Sequence, residues 1–205
     1  PERVDDVAWE NDLTAFRAYG PALQETGERA FGYDIWTKYN TTEPVVEARY
    51  EGELNPDMKA KIAELGKTDP KAAQELYRSV SYHVDHGNGL DCYKVGPTLG
   101  GGTTALMAGD TIVYPYCYAT QEILDNGPLR FTVKLVYNPL VVKGDSTIIE
   151  TRIITLDAGS YCNKTVVSYT NLKETMPLAV GIVLHEPDGA IVADAANGYM
   201  TYVDP

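Results

Sequence analysis

The sequence is short of positive charge. It has 17 Lys and Arg against 29 Asp and Glu, which gives a formal net charge of −12. No basic stripe is present to displace the counterions of a phosphate backbone, so the composition argues against a nucleic-acid partner. Long polyanionic polymers are disfavoured because they would be repelled at a distance. A short acidic substrate is still allowed, because the Debye length is only about 8 Å in physiological salt and one local cation outweighs the global field.

Cysteines and long apolar runs are also scarce. Cys92, Cys117 and Cys162 are widely spaced and form no CxxC pair. They indicate neither a zinc ribbon nor a disulfide scaffold, and we expect each to be a small buried apolar residue. No apolar run approaches the roughly 20 residues that span a bilayer, so we predict no membrane partner. The chain begins at Pro1, from which we expect a processed or partial form.

Tyrosine is the abundant aromatic residue, with 15 Tyr against three Phe and two Trp. Tyr is favoured in strands and on wet surfaces that stack against sugars or peptides. Segments with strand character recur along the chain, with turn signals between them, at residues 12–19, 31–39, 111–120, 129–142, 145–156, 161–169, 179–185 and 199–203. We therefore predict a mostly β protein, an antiparallel β-sandwich that forms a single domain over residues 1–205.

One segment breaks this pattern. Asn55-Pro56 and Asp69-Pro70 each place a capping residue before a proline, as at helix starts. Apolar residues recur at helical spacing after the first of these pairs, and Gly66 ends that run. The sequence therefore predicts a short helical insertion near residues 55–79.

The densest set of reactive side chains lies at residues 82–102, where two of the three histidines stand among many glycines. Glycines permit unusual turns and close approach of a ligand. Three interpretations of His83 and His86 remain open. Either they are metal ligands, with His185 or Asp91 completing the site, or they are acid–base groups, because histidine can give and take protons at neutral pH. In the third interpretation, one of them only satisfies backbone groups in a turn. We assign no metal ligand and name no cofactor.

The run Gly100-Gly101-Gly102 resembles a phosphate-binding loop only in being rich in glycine. It lacks the lysine of that motif and a following helix. We predict a close-packed turn there.

Other candidates lie outside the glycine-rich stretch. Arg17 stands in a predicted strand among apolar neighbours, where it either faces solvent or captures a carboxylate in a bidentate manner. Trp36 and Lys38 share a strand face, which could form a sugar-stacking platform with a charge beside it. The further candidates for substrate binding are Trp9, Tyr19, Tyr82, Asp91, Lys94 and Arg130.

Four segments together resemble a known family. They are AWENDLTAFRAYGPAL, GYDIWTK, SYHVDHGNGLDCYKVGPTLGGGTTAL and NGPLRFTVKLVY. In order and spacing they are similar to the DUF4861 family of domains of unknown function, whose members occur in bacterial polysaccharide-utilisation systems. The resemblance implies a sandwich akin to galactose-mutarotase-like proteins and a periplasmic or secreted location. The family region usually extends further on the N-terminal side, which implies that this chain is a C-terminal portion of a longer domain or a short member.

One branch of that family is associated with dehydration of the non-reducing-end uronic acid of oligosaccharides. Such an elimination needs a cation for the carboxylate, a base for the C5 proton and an acid for the leaving C4 hydroxyl. We expect Arg17, or a metal, to serve as the cation and His83 or His86 as the base. Tyr93 or Tyr82 is the candidate acid, and the expected partner is a uronate-containing oligosaccharide.

Two functions of other kinds are alternatives. A non-catalytic carbohydrate-binding module would use Trp9, Trp36 and tyrosines as stacking surfaces, and the fold analogy also permits a sugar epimerase or mutarotase. A glycosidase is less attractive, because the sequence fixes no carboxylate pair as its acid and partner.

Overall fold

The computed structural model describes residues 3–39 and 43–203. The helices of this part of the chain are α1 (Pro21–Glu25), α2 (Val46–Leu54), α3 (Pro56–Gly66) and α4 (Pro70–Arg78). Its strands are β1 (Val7–Glu10), β2 (Thr14–Ala18), β3 (Asp34–Thr37), β4 (Gly101–Ala108), β5 (Thr111–Val113), β6 (Tyr118–Asn126), β7 (Arg130–Tyr137), β8 (Leu140–Val142), β9 (Asp145–Asp157), β10 (Lys164–Thr170), β11 (Leu178–Ile182), β12 (Ala190–Asp194) and β13 (Tyr199–Val203).

The strands form antiparallel sheets, which confirms the predicted fold class. The largest sheet has the order β10-β9-β7-β6, with β8 paired to β9. Smaller sheets have the orders β1-β2-β3 and β11-β4-β5, and β12 and β13 form a hairpin. Every pairing between the strands is antiparallel, as hairpin-type connections allow.

The main core lies between the β1-β2-β3 sheet and the largest sheet. Trp9 and Phe16 from the smaller sheet pack with Val133, Leu135 and Ile154 of the larger one. Side chains alternate along each strand, so one face of each sheet supplies this apolar layer. The two sheets therefore pack face to face, as in a sandwich.

The glycine run at residues 100–102 joins two of the smaller sheets. Gly101 donates its backbone N–H to Tyr33 O at 2.8 Å. A Cβ on Gly100 would lie 2.6 Å from Tyr33 O, and its φ of +57° also favours glycine. The close packing that we predicted here is present, but the prediction of a turn is wrong in part, because strand β4 begins at Gly101.

The predicted helix pair is present as α3 and α4. The side chain of Asn55 accepts a hydrogen bond from Met58 N at 3.0 Å, and that of Asp69 accepts one from Ala72 N at 3.0 Å. The helical region starts earlier than predicted, because α2 precedes the pair. We missed α2 because its apolar residues are few and only its inner side, with Val46 and Tyr50, is buried.

The N-terminal strand is tied to the turn at residues 157–163, far along the chain. Trp9 Nε1 donates to Asn163 Oδ1 at 2.9 Å. Asn11 Nδ2 donates to the carbonyl oxygens of Asp157 and Ser160, each at 2.7 Å. These bonds close one end of the sandwich.

All three cysteines are free thiols in this structure. Only Cys117 is buried, whereas Cys92 and Cys162 are exposed, so the expectation of three buried cysteines is wrong for two. Across the described residues, no helix has the length and apolar character needed to cross a bilayer.

Candidate functional site

The segment of residues 81–91, the histidine loop, is anchored to β3. Leu90 and Thr37 exchange backbone hydrogen bonds of 3.1 and 2.9 Å. Arg49 from α2 donates to the carbonyl oxygens of Val84 and Gly89, which braces the loop from the helical side. Glycine is required at position 89, because a Cβ there would lie 1.9 Å from Thr37 O. The loop is therefore held in one shape by a strand and a helix.

His83 is oriented by Asp91 at the other end of this loop. Its Nδ1 lies 3.1 Å from the backbone oxygen of Asp91 and 3.8 Å from the Asp91 carboxylate. A carbonyl oxygen only accepts, so Nδ1 carries the proton and Nε2 is the basic nitrogen of the neutral ring. One side of the ring faces Tyr82 at a centroid distance of 4.4 Å, while 53% of the side chain is exposed. His83 thus has a fixed tautomer and an accessible side chain.

His86 is held differently. Its Nε2 lies 3.0 Å from the backbone oxygen of Ser81, so this nitrogen donates. The two histidines are therefore fixed by different carbonyl oxygens and do not share one hydrogen-bonded group. Nowhere in the described ranges do three His, Cys, Asp or Glu residues converge as a metal site would require, so neither His185 nor Asp91 completes one with them.

Arg17 lies beneath the histidine loop and is buried. Its Nη2 donates to the carboxylates of Asp34 and Asp91, the latter at 3.0 Å. Nη1 donates to Tyr50 Oη at 2.9 Å, and Nη2 also reaches Tyr19 Oη at 3.1 Å. A substrate carboxylate cannot reach this guanidinium in the present structure. Our prediction that Arg17 binds the substrate carboxylate is therefore corrected. Arg17 forms buried ion pairs within the fold, and Tyr19 is one of its hydrogen-bond partners.

Two carboxyl groups compete for this one guanidinium. Burial raises the pKa of Asp34 to about 7, although Arg17 lowers it and the nearby Asp91 carboxylate raises it further. Burial also raises the pKa of Asp91, against the attraction of Arg17 and His83. Desolvation outweighs the ion pair here because a single positive charge is shared by both acids. The two carboxyls therefore titrate as a linked pair, and the pKa of each is raised above its ordinary value.

The two tryptophans are core residues. Trp36 is 1% exposed, with Tyr82 stacked on it at 5.3 Å and its Nε1 donating to Asp34 at 3.3 Å. Trp9 is 3% exposed between Phe16 and Phe131. No sugar can stack on either indole ring as the chain is folded here. The prediction of a sugar-stacking platform is thus wrong. The side chains of residues 36 and 38 do share a face of strand β3 and its extension, but that face points into the protein.

The remaining predicted binding residues are spread over the surface and the interior. Lys38 is buried and donates to Glu10 and to Asn11 O, each at 2.7 Å, so it is not a surface charge. Arg130 is exposed and pairs with Asp157 through two bonds of 2.5 and 2.9 Å. The Lys38 backbone lies against Gly89 of the histidine loop, but the Lys38 ammonium is bound at Glu10 and Asn11, and Arg130 is bound at Asp157.

Tyr93 and Lys94 lie just beyond the loop. The Tyr93 hydroxyl is within donating distance of Gly100 O, at 3.1 Å, and of Val183 O, at 3.2 Å. Lys94 is exposed, and its backbone oxygen lies 2.8 Å from His185 Nε2. The Tyr93 hydroxyl is therefore committed to backbone oxygens, whereas the Lys94 ammonium stands in solvent.

Sequence reasoning missed a cleft of about 470 Å³ between β1, α2 and the edge of the largest sheet. Arg3, Asp6, Glu10 and Tyr50 are among the residues that line it. Burial raises the pKa of Asp6 to about 6, and the carboxylate accepts from Gly20 N at 2.8 Å and from Arg3 at 3.2 Å. Nothing in the local sequence marks Asp6, because its burial depends on residues that follow it by many positions.

Comparison with known proteins identifies the family to which the chain belongs. The profile described as "Domain of unknown function (DUF4861)" matches residues 1–205. A protein of Formosa agariphila named "Uncharacterized protein P7" is 29% identical over 209 residues. That alignment covers 98% of this chain and 46% of the relative, so the chain spans about half the length of the curated relative it matches. No solved structure matches the chain.

Proposed function

The chain belongs to the DUF4861 family, and on this premise we propose that it is part of an exported carbohydrate-active lyase. The proposed reaction removes water across C4 and C5 of the non-reducing-end uronate of an oligosaccharide. The location that goes with it is the periplasm or the cell exterior. The resemblance of the histidine-loop motif to the family supports the substrate class, and the geometry of His83 supports the chemistry.

The observation that carries the proposal is the Asp91–His83 arrangement. A neutral imidazole with Nδ1–H held by the Asp91 backbone oxygen presents Nε2 as a base. The Asp91 carboxylate, 3.8 Å from Nδ1, stabilises the imidazolium that forms when the ring takes a proton. Because the side chain is half exposed, the terminal sugar of a chain can reach it without a change in the fold.

In the proposed step, Nε2 of His83 takes the C5 proton of the uronate. The C5–H electron pair forms the C4–C5 double bond, and the C4–O bond breaks. The leaving hydroxide takes a proton from solvent, which reaches the exposed loop, and departs as water. The product carries a double bond conjugated with its carboxylate. A positioned base of this kind contributes about 10²–10⁴-fold.

The substrate carboxylate needs a cation, and we assign this role to Lys94 in place of Arg17. Lys94 is exposed and stands three residues beyond Asp91. Three residues span at most about 10 Å, so the Lys94 backbone is close enough for its flexible side chain to extend toward a sugar that contacts His83. Arg17 is excluded because protein groups already hold its guanidinium.

The test is to incubate the protein with a panel of uronate-terminated oligosaccharides and to follow the ultraviolet absorbance of the conjugated product. His83→Gln is expected to lower turnover by about 10²–10⁴-fold. His86→Gln, on the same loop, is the matched control and should keep most of the activity. Lys94→Ala should raise KM more than it lowers kcat.

Full turnover by His83→Gln would contradict the proposal. A flat absorbance trace across the panel, together with measurable binding of the same sugars, would instead identify a carbohydrate-binding module.

A further inference from the structure

An exposed tyrosine stands beside the histidine loop, and the proposed reaction does not use it. Tyr39 lies two residues beyond the end of β3, and 55% of the residue is exposed. Its hydroxyl donates to Asp85 Oδ2 at 2.7 Å. This hydrogen bond raises the pKa of Tyr39, so the hydroxyl keeps its proton and remains a donor. A largely exposed aromatic side chain is therefore joined to the loop that carries His83.

Asp85 is itself fixed by the backbone of the loop. Its Oδ1 accepts from Gly87 N at 2.8 Å and from Gly89 N at 3.1 Å. A carboxylate has about four acceptor positions, so Asp85 can accept one more hydrogen bond besides these two and the one from Tyr39. The Tyr39 side chain is thus held at its hydroxyl as well as at its backbone. A side chain that is already ordered loses little entropy when a ligand binds to it.

The other exposed tyrosines have different surroundings. The Tyr116 hydroxyl donates to a carbonyl oxygen of α1, and the Arg29 guanidinium lies over its ring, 5.1 Å from the centroid. Three more stand on α4, in the turn after β9 and on β13, namely Tyr77, Tyr161 and Tyr199. Within the described part of the chain, Tyr39 is the exposed tyrosine whose hydroxyl is bonded to the histidine loop. Its position is therefore tied to the candidate site.

The strand pairing places Tyr39 and Lys94 on opposite sides of His83. Trp36 and Asp91 form an antiparallel bridge, and the two chains run in opposite directions through it. Tyr39 follows Trp36 by three residues and Lys94 follows Asp91 by three, so the two side chains start on opposite sides of the bridge. His83, bonded to the Asp91 backbone oxygen, lies between them. A substrate with its carboxylate at Lys94 and its terminal sugar at His83 therefore extends toward Tyr39.

We propose that Tyr39 and Asp85 form an outer subsite for a neutral sugar that follows the terminal uronate. This inference rests on the proposed function. The apolar C–H face of a pyranose packs on the phenol ring, which removes apolar surface from water, and the Asp85 carboxylate accepts from a sugar hydroxyl. Asp85 follows His83 by two residues, a span of at most about 7 Å, so one oligosaccharide contacts both. The carboxylate repels a second uronate, which makes the subsite selective for an uncharged sugar.

The test compares a short ligand with a long one by NMR titration, in a His83→Gln background that suppresses turnover. The short ligand is the methyl glycoside of a uronate, and the long one is a trisaccharide of a terminal uronate and two neutral sugars. Tyr39→Ala should weaken binding of the trisaccharide by about three- to tenfold and leave binding of the methyl glycoside unchanged. Tyr39→Phe keeps the ring and should keep most of the trisaccharide affinity. The matched control is Tyr199→Ala, which removes an exposed tyrosine from β13 and should change neither affinity.

Unchanged trisaccharide affinity in Tyr39→Ala would overturn the subsite. So would an equal loss in Tyr39→Ala and Tyr39→Phe, because the hydroxyl would then act only to hold the loop. Turnover by the wild type, followed through the absorbance of the unsaturated product, separates this result from the proposed reaction. Turnover without an effect of Tyr39→Ala rejects the subsite and keeps the lyase. A loss confined to the trisaccharide, with no turnover by the wild type, keeps the subsite and rejects the lyase.

Discussion

Two strand arginines are buried in this molecule, and their surroundings differ. Arg17 on β2 meets two carboxylates and two tyrosine hydroxyls beneath the histidine loop. Arg152 on β9 meets the Glu150 carboxylate and the Thr104 carbonyl oxygen, and we call these three residues the interior cluster. Beneath the histidine loop one positive charge is shared by two acids, and burial raises the pKa of Asp34 to about 7. In the interior cluster one positive charge is matched by one acid. The two clusters thus differ in the ratio of acids to arginine, which is two to one beneath the histidine loop and one to one in the interior cluster.

Among substitutions in the two clusters, removal of Arg17 is expected to lower the free energy of unfolding the most. Arg17→Met leaves Asp34 and Asp91 buried together without a counter-charge, and breaking a buried pair in this way costs about 3–5 kcal/mol. We expect part of this loss to be regained in acid, where both carboxyls are protonated. Denaturant unfolding of the wild type and of Arg17→Met at neutral and at acidic pH measures the loss at each pH. A loss that is the same at every pH would show that the carboxyls are not the cause.

A smaller effect is expected from Asp34→Asn. The carboxyl has its ordinary pKa of 3.8 in the unfolded chain and a pKa raised to about 7 in the fold. Between these values the folded state binds more protons at Asp34, so the contribution of Asp34 to stability is largest below about pH 4 and is lost as the pH rises to 7. Asp34→Asn should make this decline shallower by about 2 kcal/mol, since a pKa change of one is worth about 1.4 kcal/mol and the pair shares the titration.

The control for the dependence of stability on pH is the variant Asp85→Asn. Asp85 is exposed, and hydrogen bonds from Tyr39 and Gly87 lower its pKa, so its titration has the opposite sign. If Asp34→Asn does not change how the free energy of unfolding depends on pH, the titrating group is another residue. Asp6 is then the next candidate, because burial raises its pKa to about 6.

The smallest effect is expected in the interior cluster. Replacement of a buried ion pair by apolar residues of similar size is often neutral or stabilising. Glu150→Met/Arg152→Met should therefore leave the free energy of unfolding unchanged or raise it by about 1 kcal/mol. The measurement is denaturant unfolding at neutral pH. A loss above about 3 kcal/mol, as expected for Arg17→Met, would mean that the two clusters do not differ in the way described.

Sequence patterns predicted what is decided locally. The caps at Asn55 and Asp69 act within three residues, and both helices that they start are present. The long alternating segment at 145–156 became β9. Local composition likewise pointed to the histidine loop, where the contact of His83 with Asp91 spans only eight residues.

What the sequence could not predict depends on distant partners. Arg17 is bound by residues 17 and 74 positions away, and no local pattern distinguishes it from a substrate-binding arginine. Alternation correctly placed Trp36 and Lys38 on one face, but the rule does not say which face is covered. In this fold, α2 and the histidine loop cover it, and α2 itself was not predicted.

The bonds from the N-terminal strand to residues 157–163 have a consequence for biosynthesis. Trp9 and its partner Asn163 are 154 positions apart. At about 5–20 residues per second, a ribosome needs on the order of ten seconds to make the intervening chain. During that time the first strand lacks its closing partner, and the indole ring that later sits in the main core stays exposed. We expect the packing of Trp9 to be completed only after Asn163 has been synthesised, so the segment around β1 is open to chaperone binding until then.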